Sequence, residues 1–358
     1  MIRIHALRAL MAEQSIDALL IEKRENYFYL TGMTGEESFC VITQSEVFMI
    51  VDFRFVTQAT EQITARVPDC KVIEYKGDVN TTLNTLFREL GVKNIGFDAT
   101  NMLCQRFEDL KMKVFNVKFI NATGLVEKLR VRKSEDEIQI IQAAVDLADK
   151  AFQNLLQYIR PGVSELDVAA ELEYQMRKLG STRPSFETII ASGARAALPH
   201  GVASEKLIKF GDVVTIDFGA HYKGYCSDMT RTVFVGKVKP QLKKIYEIVL
   251  EAQQAAVQGC FAGRTGRHVD SIARGIITQA GFGDNFGHGT GHGVGVEIHE
   301  SPRVNMRNEN PLEDGMVVTI EPGIYLPGIG GVRIEDVVVI RGQNPLILTK
   351  TPKDILIV

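Results

Sequence analysis

The chain contains 358 residues, enough for two domains with substantial cores. Its 45% hydrophobic and 24% charged residues are typical of a globular protein in water, and the net charge of −3 favours neither nucleic acid nor an anionic membrane as a partner. No apolar run approaches the ~20 residues that a membrane helix needs. The five cysteines are scattered and form no Cys-x-x-Cys pair, which predicts reduced core residues in a cytoplasmic protein.

The first part of the chain, residues 1–127, is predicted to form a smaller mixed α/β domain. An amphipathic helix is expected at residues 3–14. Alternating apolar patterns, with helices between several of them, predict six strands: 17–21, 39–43, 47–51, 71–75, 94–97 and 117–120. No cluster of catalytic residue types occurs here. We therefore expect this domain to contribute to assembly and to the enclosure of a substrate.

The second domain is predicted to span residues 128–358, in an α+β arrangement. A capping box, with Ser134 three residues before Glu137, opens a helix that continues to about residue 158. Further helices are predicted at 165–179, 240–258 and 268–280. Two hairpins are expected, the first ending in a return strand at 225–235 and the second pairing 316–321 with 332–340.

A nine-residue segment occurs twice in this domain, as GDVVTIDFG at 211–219 and as GMVVTIEPG at 315–323. Six positions are identical, and a seventh exchanges Asp217 for Glu321. A capped helix also repeats, at 161–180 and 262–281. We interpret the domain as two helix–helix–hairpin units related by a pseudo-two-fold axis. The alternative is a chance alignment of two ordinary capped helices.

The two hairpins bring four carboxylates towards one point. Asp217 and Asp228 are eleven residues apart, which lets antiparallel strands place them side by side, and Glu321 and Glu335 flank the tight loop 327–331. Four buried carboxylates repel one another strongly unless about four positive charges lie among them, and two divalent cations supply that number. Such a metal pair can activate water for hydrolysis. The alternative is that each acid pairs with a surface Lys or Arg.

Two histidines lie in a glycine-rich run at residues 287–295. Although His288 and His292 have His-x-x-x-His spacing, glycine at every second position makes a helix unfavourable. We expect an extended segment that passes near the site. The run does not match the Gly-x-Gly-x-x-Gly pattern of a dinucleotide-binding loop. Each histidine by itself is compatible with a structural role.

Seven short segments complete the pattern: Pro199-His200-Gly201, Asp217-Phe218-Gly219, Ser227-Asp228-Met229-Thr230-Arg231-Thr232, Gly291-His292-Gly293-Val294-Gly295, His299-Glu300, Glu321-Pro322-Gly323 and Arg333-Ile334-Glu335-Asp336. Together they resemble the pita-bread metallopeptidases, above all the proline dipeptidases (prolidases) and the related aminopeptidase P. The resemblance covers the whole chain. It implies a creatinase-like N-terminal domain followed by a pita-bread catalytic domain.

The resemblance also implies roles for individual residues. It implies a dinuclear metal site with five ligands: Asp217, Asp228, His292, Glu321 and Glu335. Glu321 would in addition handle the proton of the attacking water. His200 and His299 would bind the substrate carbonyl and stabilise the tetrahedral intermediate. His288 would contact the ligands without binding metal, and Arg333 would support the ligands beside Glu335. Arg303 resembles an arginine with which family dipeptidases hold the C-terminal carboxylate of the substrate.

Oxygen ligands with a single imidazole favour Mn²⁺ or Co²⁺, with Zn²⁺ as a further option. The implied reaction is hydrolysis of the Xaa-Pro bond of dipeptides by a homodimer, and we expect Phe186, Ile189 and Tyr325 around the proline ring. Three alternatives stay open. They are an aminopeptidase P that acts on longer Xaa-Pro peptides, a metal-free peptide-binding module, and a creatinase-like C–N hydrolase.

Overall fold

The protein, analysed as a computed structural model, is described over residues 2–358 and divides into two compact units between Arg130 and Val131. The first residue of the predicted 1–127 domain lies outside this range. The observed division falls three residues beyond the predicted one, since residues 125–130 form a helix that packs on the first helix of the N-terminal unit.

The N-terminal unit is a six-stranded mixed sheet with helices. Its helices are α1 (Ile2–Glu13), α2 (Arg24–Thr31), α3 (Val56–Thr64), α4 (Val79–Glu89), α5 (Cys104–Lys113) and α6 (Leu125–Arg130). Its strands are β1 (Ala18–Ile21), β2 (Phe39–Thr43), β3 (Val47–Val51), β4 (Lys71–Glu74), β5 (Asn94–Phe97) and β6 (Lys118–Asn121), in the order β4-β3-β2-β1-β5-β6. The predicted hairpin is the antiparallel pair β2–β3, and the six predicted strands are present within one or two residues.

The C-terminal unit contains four long helices and several small sheets. The helices are α7 (Glu135–Leu155), α8 (Glu165–Leu179), α9 (Pro240–Gly259) and α10 (Gly266–Gln279). The strands are β7 (Arg183–Pro184), β8 (Ile189–Ser192), β9 (Val213–Phe218), β10 (Ala220–Tyr222), β11 (Tyr225–Cys226), β12 (Met229–Phe234), β13 (Gly291–Gly293), β14 (Glu300–Val304), β15 (Val317–Ile320), β16 (Gly323–Leu326), β17 (Gly330–Arg333), β18 (Asp336–Val339), β19 (Leu346–Ile347) and β20 (Leu356–Ile357). Short 3₁₀ turns occur at Gly193–Ala197 and Gly283–Asn285.

The helix caps follow the sequence pattern. Ser134 and Ser164 each form a complete capping box, at the starts of α7 and α8. The Thr265 side chain accepts a bond from His268 N–H at the start of α10, and Gly180 ends α8 in the left-handed conformation that glycine tolerates best. These local signals place α7, α8 and α10 before any tertiary contact is considered.

The two halves of the C-terminal unit have the same layered plan. In the first half, α7 and α8 cover the antiparallel pair β9–β12, and the ring of Phe152 stacks on Phe218 with 6.2 Å between centroids. In the second, α9 and α10 cover β15–β18, where Tyr246 and Val269 pack in the same core as Val338. Each helix pair thereby buries the apolar face of one hairpin, as the internal repeat predicted.

The cysteines depart from expectation at one position. All five are free, and Cys40, Cys226 and Cys260 are buried. Cys70 is partly buried, whereas Cys104, the first residue of α5, is exposed. The prediction that all five are core residues is therefore wrong for Cys104. Within residues 2–358, no helix combines the length and the apolar character needed to cross a membrane.

Candidate active site

One cavity of about 510 Å³ in the C-terminal unit is lined by all the residues that the sequence assigned to metal binding, catalysis, ligand support or binding of the substrate carboxylate. The ten lining residues in question are His200, Asp217, Asp228, His288, His292, His299, Arg303, Glu321, Arg333 and Glu335. They come from strands and loops of both pseudo-equivalent halves. Folding therefore assembles one polar cavity from segments that are far apart in the chain.

The two hairpins meet edge to edge at this cavity. Glu335 N–H donates to the Thr230 carbonyl at 3.2 Å, and the Thr232 hydroxyl donates to the Arg333 carbonyl at 2.9 Å. The predicted return strands are interrupted beside the acids, since Asp228 lies between β11 and β12 and Glu335 between β17 and β18. These breaks free the backbone next to each carboxylate from regular strand pairing.

The register of the first hairpin corrects one expectation. Asp217 lies opposite Thr230, so Asp228 is displaced by two residues along the partner strand and the two acids are diagonal neighbours. In the second hairpin Ile320 faces Asp336, and continuing this register places Glu321 opposite Glu335. The predicted side-by-side arrangement is thus wrong for the first pair, although diagonal neighbours remain close enough for their charges to interact.

His292 occupies β13, the extended segment expected from the glycine-rich run. Its Nδ1 lies 3.1 Å from the Gly293 carbonyl, which can only accept, so Nδ1 carries the proton. Its Nε2 then directs a lone pair at Glu321 Oε1 and Asp228 Oδ2, at 3.4 and 3.6 Å. Burial, together with the charge of His299, lowers the pKa of His292 to about 3, so the ring is neutral at pH 7.

Strong mutual repulsion acts among the buried acids. Burial and the charges of the neighbouring carboxylates, that of Glu335 first, raise the pKa of Asp228 well above its usual value. Burial and the charges of Glu321 and Asp217 raise the pKa of Glu335 in the same direction. For Glu321, burial with a contribution from Asp217 raises the pKa to about 8. These groups therefore favour either protons or another source of positive charge.

Arg333 supplies one positive charge to this cluster. Its Nη2 donates to Asp217 Oδ2 at 2.6 Å, and its Nε donates to the Thr230 hydroxyl at 3.1 Å. The alternative in which each acid pairs with a basic side chain thus holds for Asp217, but its partner is a buried arginine, not a surface one. The other Asp217 oxygen, Oδ1, is buried without a hydrogen-bond partner among residues 2–358. One guanidinium cannot neutralise the remaining carboxylates.

The donor set fits divalent cations. Asp228, His292 and Glu335 present ligand atoms that all lie within 4.8 Å of one another. Glu321 approaches the same imidazole nitrogen, and Asp217 contributes the buried oxygen without a partner. At 3.4 and 3.6 Å the contacts between the imidazole nitrogen and the two carboxylates are too long for ordinary hydrogen bonds, and a cation between these groups would satisfy both the lone pair and the carboxylate oxygens. The Nδ1 bond of His292 also orients the ring as a metal ligand requires.

A hydrogen-bonded chain extends from Asp217 to His288. Arg333 Nη1 donates to the Tyr325 hydroxyl at 2.8 Å, and that hydroxyl lies 2.8 Å from His288 Nε2. His288 Nδ1 faces the Gly289 carbonyl at 2.8 Å and therefore carries the proton, so the Tyr325 hydroxyl donates to Nε2. Tyr325 does not line the cavity, contrary to its expected place beside a proline ring. Its hydroxyl is instead hydrogen-bonded to Arg333 and His288.

The remaining cavity wall combines apolar and cationic groups. Phe186 and Ile189 line it, as expected of a pocket for a small apolar ring. The His299 ring packs edge-on against His292, with 4.4 Å between centroids, and burial with the charge of Arg303 lowers the pKa of His299. Arg303 lies on β14 directly opposite His292. A positive charge therefore stands at the cavity wall beside the carboxylate cluster.

Two threonines were missed by the sequence reasoning. Thr230 donates its hydroxyl to Glu335 Oε2 at 2.7 Å. Thr319 donates to Glu321 Oε1 at 3.3 Å and accepts the His292 N–H at 3.1 Å. A signal for Thr319 was present, since it belongs to the nine-residue repeat. Each hydroxyl orients a carboxylate within the cluster, a constraint that only the folded geometry reveals.

The chain is similar to known proteins over its whole length. The model of metallopeptidase family M24 matches residues 139–342, and that of the creatinase/prolidase N-terminal domain matches residues 3–132. An Xaa-Pro dipeptidase of Pyrococcus horikoshii is 41% identical over 347 residues, which is 97% of this chain and 96% of the relative.

Two solved structures show the same fold. One is described as an Xaa-Pro dipeptidase from Bacillus anthracis and superposes with a TM-score of 0.96 at 46% identity, covering 99% of both chains. The other, described as an X-Pro aminopeptidase from Thermotoga maritima, superposes with a TM-score of 0.91 at 40% identity, covering 96% of this chain and 98% of the other. The similarity therefore extends to one protein described as an Xaa-Pro dipeptidase and to one described as an X-Pro aminopeptidase.

Proposed function

The chain belongs to metallopeptidase family M24, and on that basis we propose that it hydrolyses the peptide bond between an N-terminal residue and proline, with dipeptides as the preferred substrates. One observation carries the proposal. The neutral His292 nitrogen faces the partly buried Glu321 carboxylate at 3.4 Å and the buried Asp228 carboxylate at 3.6 Å, in a cavity that is also lined by apolar and cationic side chains. A metal-free binding module would have no reason to bury this repelling cluster.

We propose that two divalent cations are held by five residues: Asp217, Asp228, His292, Glu321 and Glu335. Four carboxylates and a single imidazole favour Mn²⁺ or Co²⁺, while Zn²⁺ more often takes sulfur and nitrogen ligands. When bound, such ions polarise a carbonyl group and lower the pKa of water. Arg333 offsets part of the ligand charge through Asp217, so the cluster retains a negative charge that two cations can balance.

The protein's own groups supply binding and proton transfer. Glu321 is proposed to accept the proton of the attacking water and deliver it to the leaving nitrogen, which in an Xaa-Pro bond carries no hydrogen of its own. His200 and His299 are proposed to donate hydrogen bonds to the substrate carbonyl as negative charge develops on its oxygen. Phe186 and Ile189 provide apolar surface for the proline ring and exclude water beside the reacting bond.

The preference for dipeptides rests on Arg303. Its side chain lines the cavity, and it lies on β14 opposite His292, one of the proposed metal ligands. In an Xaa-Pro dipeptide the C-terminal carboxylate belongs to the residue directly after the scissile bond. A guanidinium at this place in the cavity wall can therefore bind it. Aminopeptidase P activity on longer peptides is the second candidate, because the Thermotoga maritima protein of the same fold is described as an X-Pro aminopeptidase.

The proposed function is tested by a peptide panel. The purified protein is freed of metal by chelation, reloaded separately with Mn²⁺, Co²⁺ or Zn²⁺, and assayed on Xaa-Pro, Xaa-Pro-Yaa and Xaa-Ala. We expect metal-dependent hydrolysis of the proline peptides, fastest for Xaa-Pro. Hydrolysis of Xaa-Ala at a similar rate would contradict proline specificity, and activity unaffected by chelation would contradict the metal site.

We further propose that the protein is a cytoplasmic homodimer. The five free cysteines suit a reducing compartment. Exposed apolar side chains of the N-terminal unit, Phe53 and Phe115 among them, offer surface for a second copy. Light scattering coupled to size-exclusion chromatography is expected to give twice the mass of the chain, and a monomeric mass would contradict the dimer.

A further inference from the structure

His200 lies in the segment between β8 and β9, at a position outside any helix or strand. The segment between β8 and β9 leaves the sheet at Ser192, passes through a 3₁₀ turn, carries His200 and returns past Ser204. A catalytic contact requires that such a loop be held in place, since a shift of about 1 Å can cost ~10²-fold in rate. Groups that fix the two stems of this loop, at Ser192 and Ser204, would therefore also fix the position of His200.

One buried carboxylate holds both stems. Glu165, the first residue of α8, is fully buried. Its Oε1 accepts the Ser192 N–H and the Ser192 hydroxyl, both at 2.7 Å. Its Oε2 accepts the Ser204 hydroxyl at 2.6 Å and the Ser204 N–H at 3.2 Å. A single side chain therefore ties the residue that enters the loop to the residue that leaves it.

An arginine closes the loop between these stems. Arg195 forms an ion pair with Glu165 Oε2, and its Nη2 donates to the Val202 carbonyl at 2.7 Å. Residues 195 and 202 flank His200, and the Val202 N–H donates to the His200 carbonyl at 2.9 Å. The backbone on both sides of His200 is thus hydrogen-bonded to this guanidinium or to its own neighbours.

The other half of the unit repeats the device with different residues. Asp270, buried on α10, accepts the Thr290 N–H and hydroxyl at 3.0 and 2.9 Å and pairs with Arg274. Arg274 in turn donates to the carbonyls of Phe286 and His288, at 2.9 and 2.7 Å. A buried carboxylate and an arginine therefore hold a histidine-bearing loop in both halves.

We propose that Glu165 and Arg195 form a clasp that positions His200 for catalysis. Neither is proposed to touch the substrate, because neither lines the cavity. Both act through the loop backbone and are positioning residues. This role goes beyond the proposed peptidase function but rests on it, because the effect of the clasp on kcat/KM is measured through the contact that His200 makes with the substrate.

The test is a double-mutant cycle that combines Glu165→Gln with His200→Ala. Glutamine retains one acceptor oxygen but replaces the other with an amide that cannot accept from Ser204 or pair with Arg195. We expect Glu165→Gln to lower kcat/KM on Xaa-Pro by about 10- to 100-fold in the wild-type background. In the His200→Ala background it should cost less than about threefold, because the group it positions is absent.

Asp149→Asn is the matched control. Asp149 is a buried helix carboxylate that likewise accepts backbone bonds from a distant segment, Lys350 N–H at 2.9 Å and Thr351 N–H at 3.0 Å, but that segment lines no part of the cavity. Its effect on kcat/KM should be the same factor in both backgrounds. An equal loss from Glu165→Gln in both backgrounds would show a general structural role and overturn the proposal, as would full activity of His200→Ala.

Amide hydrogen exchange gives a second readout that does not depend on turnover. Residues 195–204 should exchange faster in Glu165→Gln than in wild type, with α9 unchanged. Where Glu165→Gln fails to fold, the milder Ser204→Ala is placed in the same cycle and should give a smaller coupling of the same sign. Unchanged exchange across 195–204 would overturn the clasp. A wild-type protein inactive on Xaa-Pro would instead contradict the proposed function, while the exchange result would still decide whether the clasp exists.

Discussion

Replacement of Arg303 by alanine separates the two candidate substrate classes. The guanidinium has no hydrogen bond or ion pair within residues 2–358, so its removal leaves no buried partner unpaired. The loss then reports on the substrate contact, and a charge-assisted hydrogen bond of ~1.5–3 kcal/mol corresponds to a roughly 10- to 150-fold fall in kcat/KM for Xaa-Pro. A tripeptide carries its carboxylate one residue further away and should lose much less.

The electrostatic side effects of this change are common to both substrates. Arg303 also lowers the pKa of His299, after burial, and that influence disappears whichever peptide is bound. The ratio of the two kcat/KM values therefore isolates the carboxylate contact. Arg307→Ala, an exposed arginine on the same segment outside the cavity, is the control and should leave both rates unchanged. Equal losses on the two substrates, or none on either, would refute the reasoning and favour aminopeptidase P.

Three further outcomes are expected. Asp217→Asn should lose metal and activity, because one of the clustered donors becomes a neutral amide. The variant should still fold, since Arg333 keeps its bond to Tyr325. Full metal content with near-normal turnover would rule out Asp217 as a ligand. His200→Ala and His299→Ala should retain metal by elemental analysis yet lose turnover by ~10² or more, whereas metal loss as severe as that of Asp217→Asn would make them ligands. In the metal-free protein at pH 7 the carboxylate cluster holds protons, because burial raises the pKa of Glu321 to about 8 and raises the pKa values of Asp228 and Glu335 in the same direction. Metal binding should release protons from the cluster, so that affinity rises with pH. Calorimetry in two buffers of different ionisation enthalpy measures the release, and binding without any proton release would contradict the pKa shift.

Much of the fold followed from local patterns. The capping boxes at Ser134 and Ser164 located two helices, and the alternating apolar residues located the six strands of the N-terminal unit and the hairpin strands of the C-terminal unit. These features were predictable because a cap or an alternating strand involves residues within a few positions of one another. The repeated nine-residue segment also predicted a tertiary feature. Equivalent strands in two similar halves present Asp217 and Glu321 at equivalent places.

The recognised motifs also identified the family, which the comparisons confirm. The eight site residues taken from those motifs line one cavity together with His288 and Arg303, although their individual roles remain predictions. What the motifs left undetermined was the arrangement around the carboxylates. The diagonal placement of Asp217 and Asp228 depends on strand register, and register is set by how whole faces pack.

Only the tertiary structure revealed the supporting groups. Arg333 meets Asp217 across 116 residues of chain, and Thr230 meets Glu335 across 105. Glu165 reaches Ser204 across 39 residues to hold the loop of His200. No local pattern marks such residues, because a buried hydroxyl, carboxylate or guanidinium takes its partner from whichever segment the packed cores bring beside it. The sequence by itself determined the elements and the reactive groups, and the packing of two similar halves decided which distant side chains orient them.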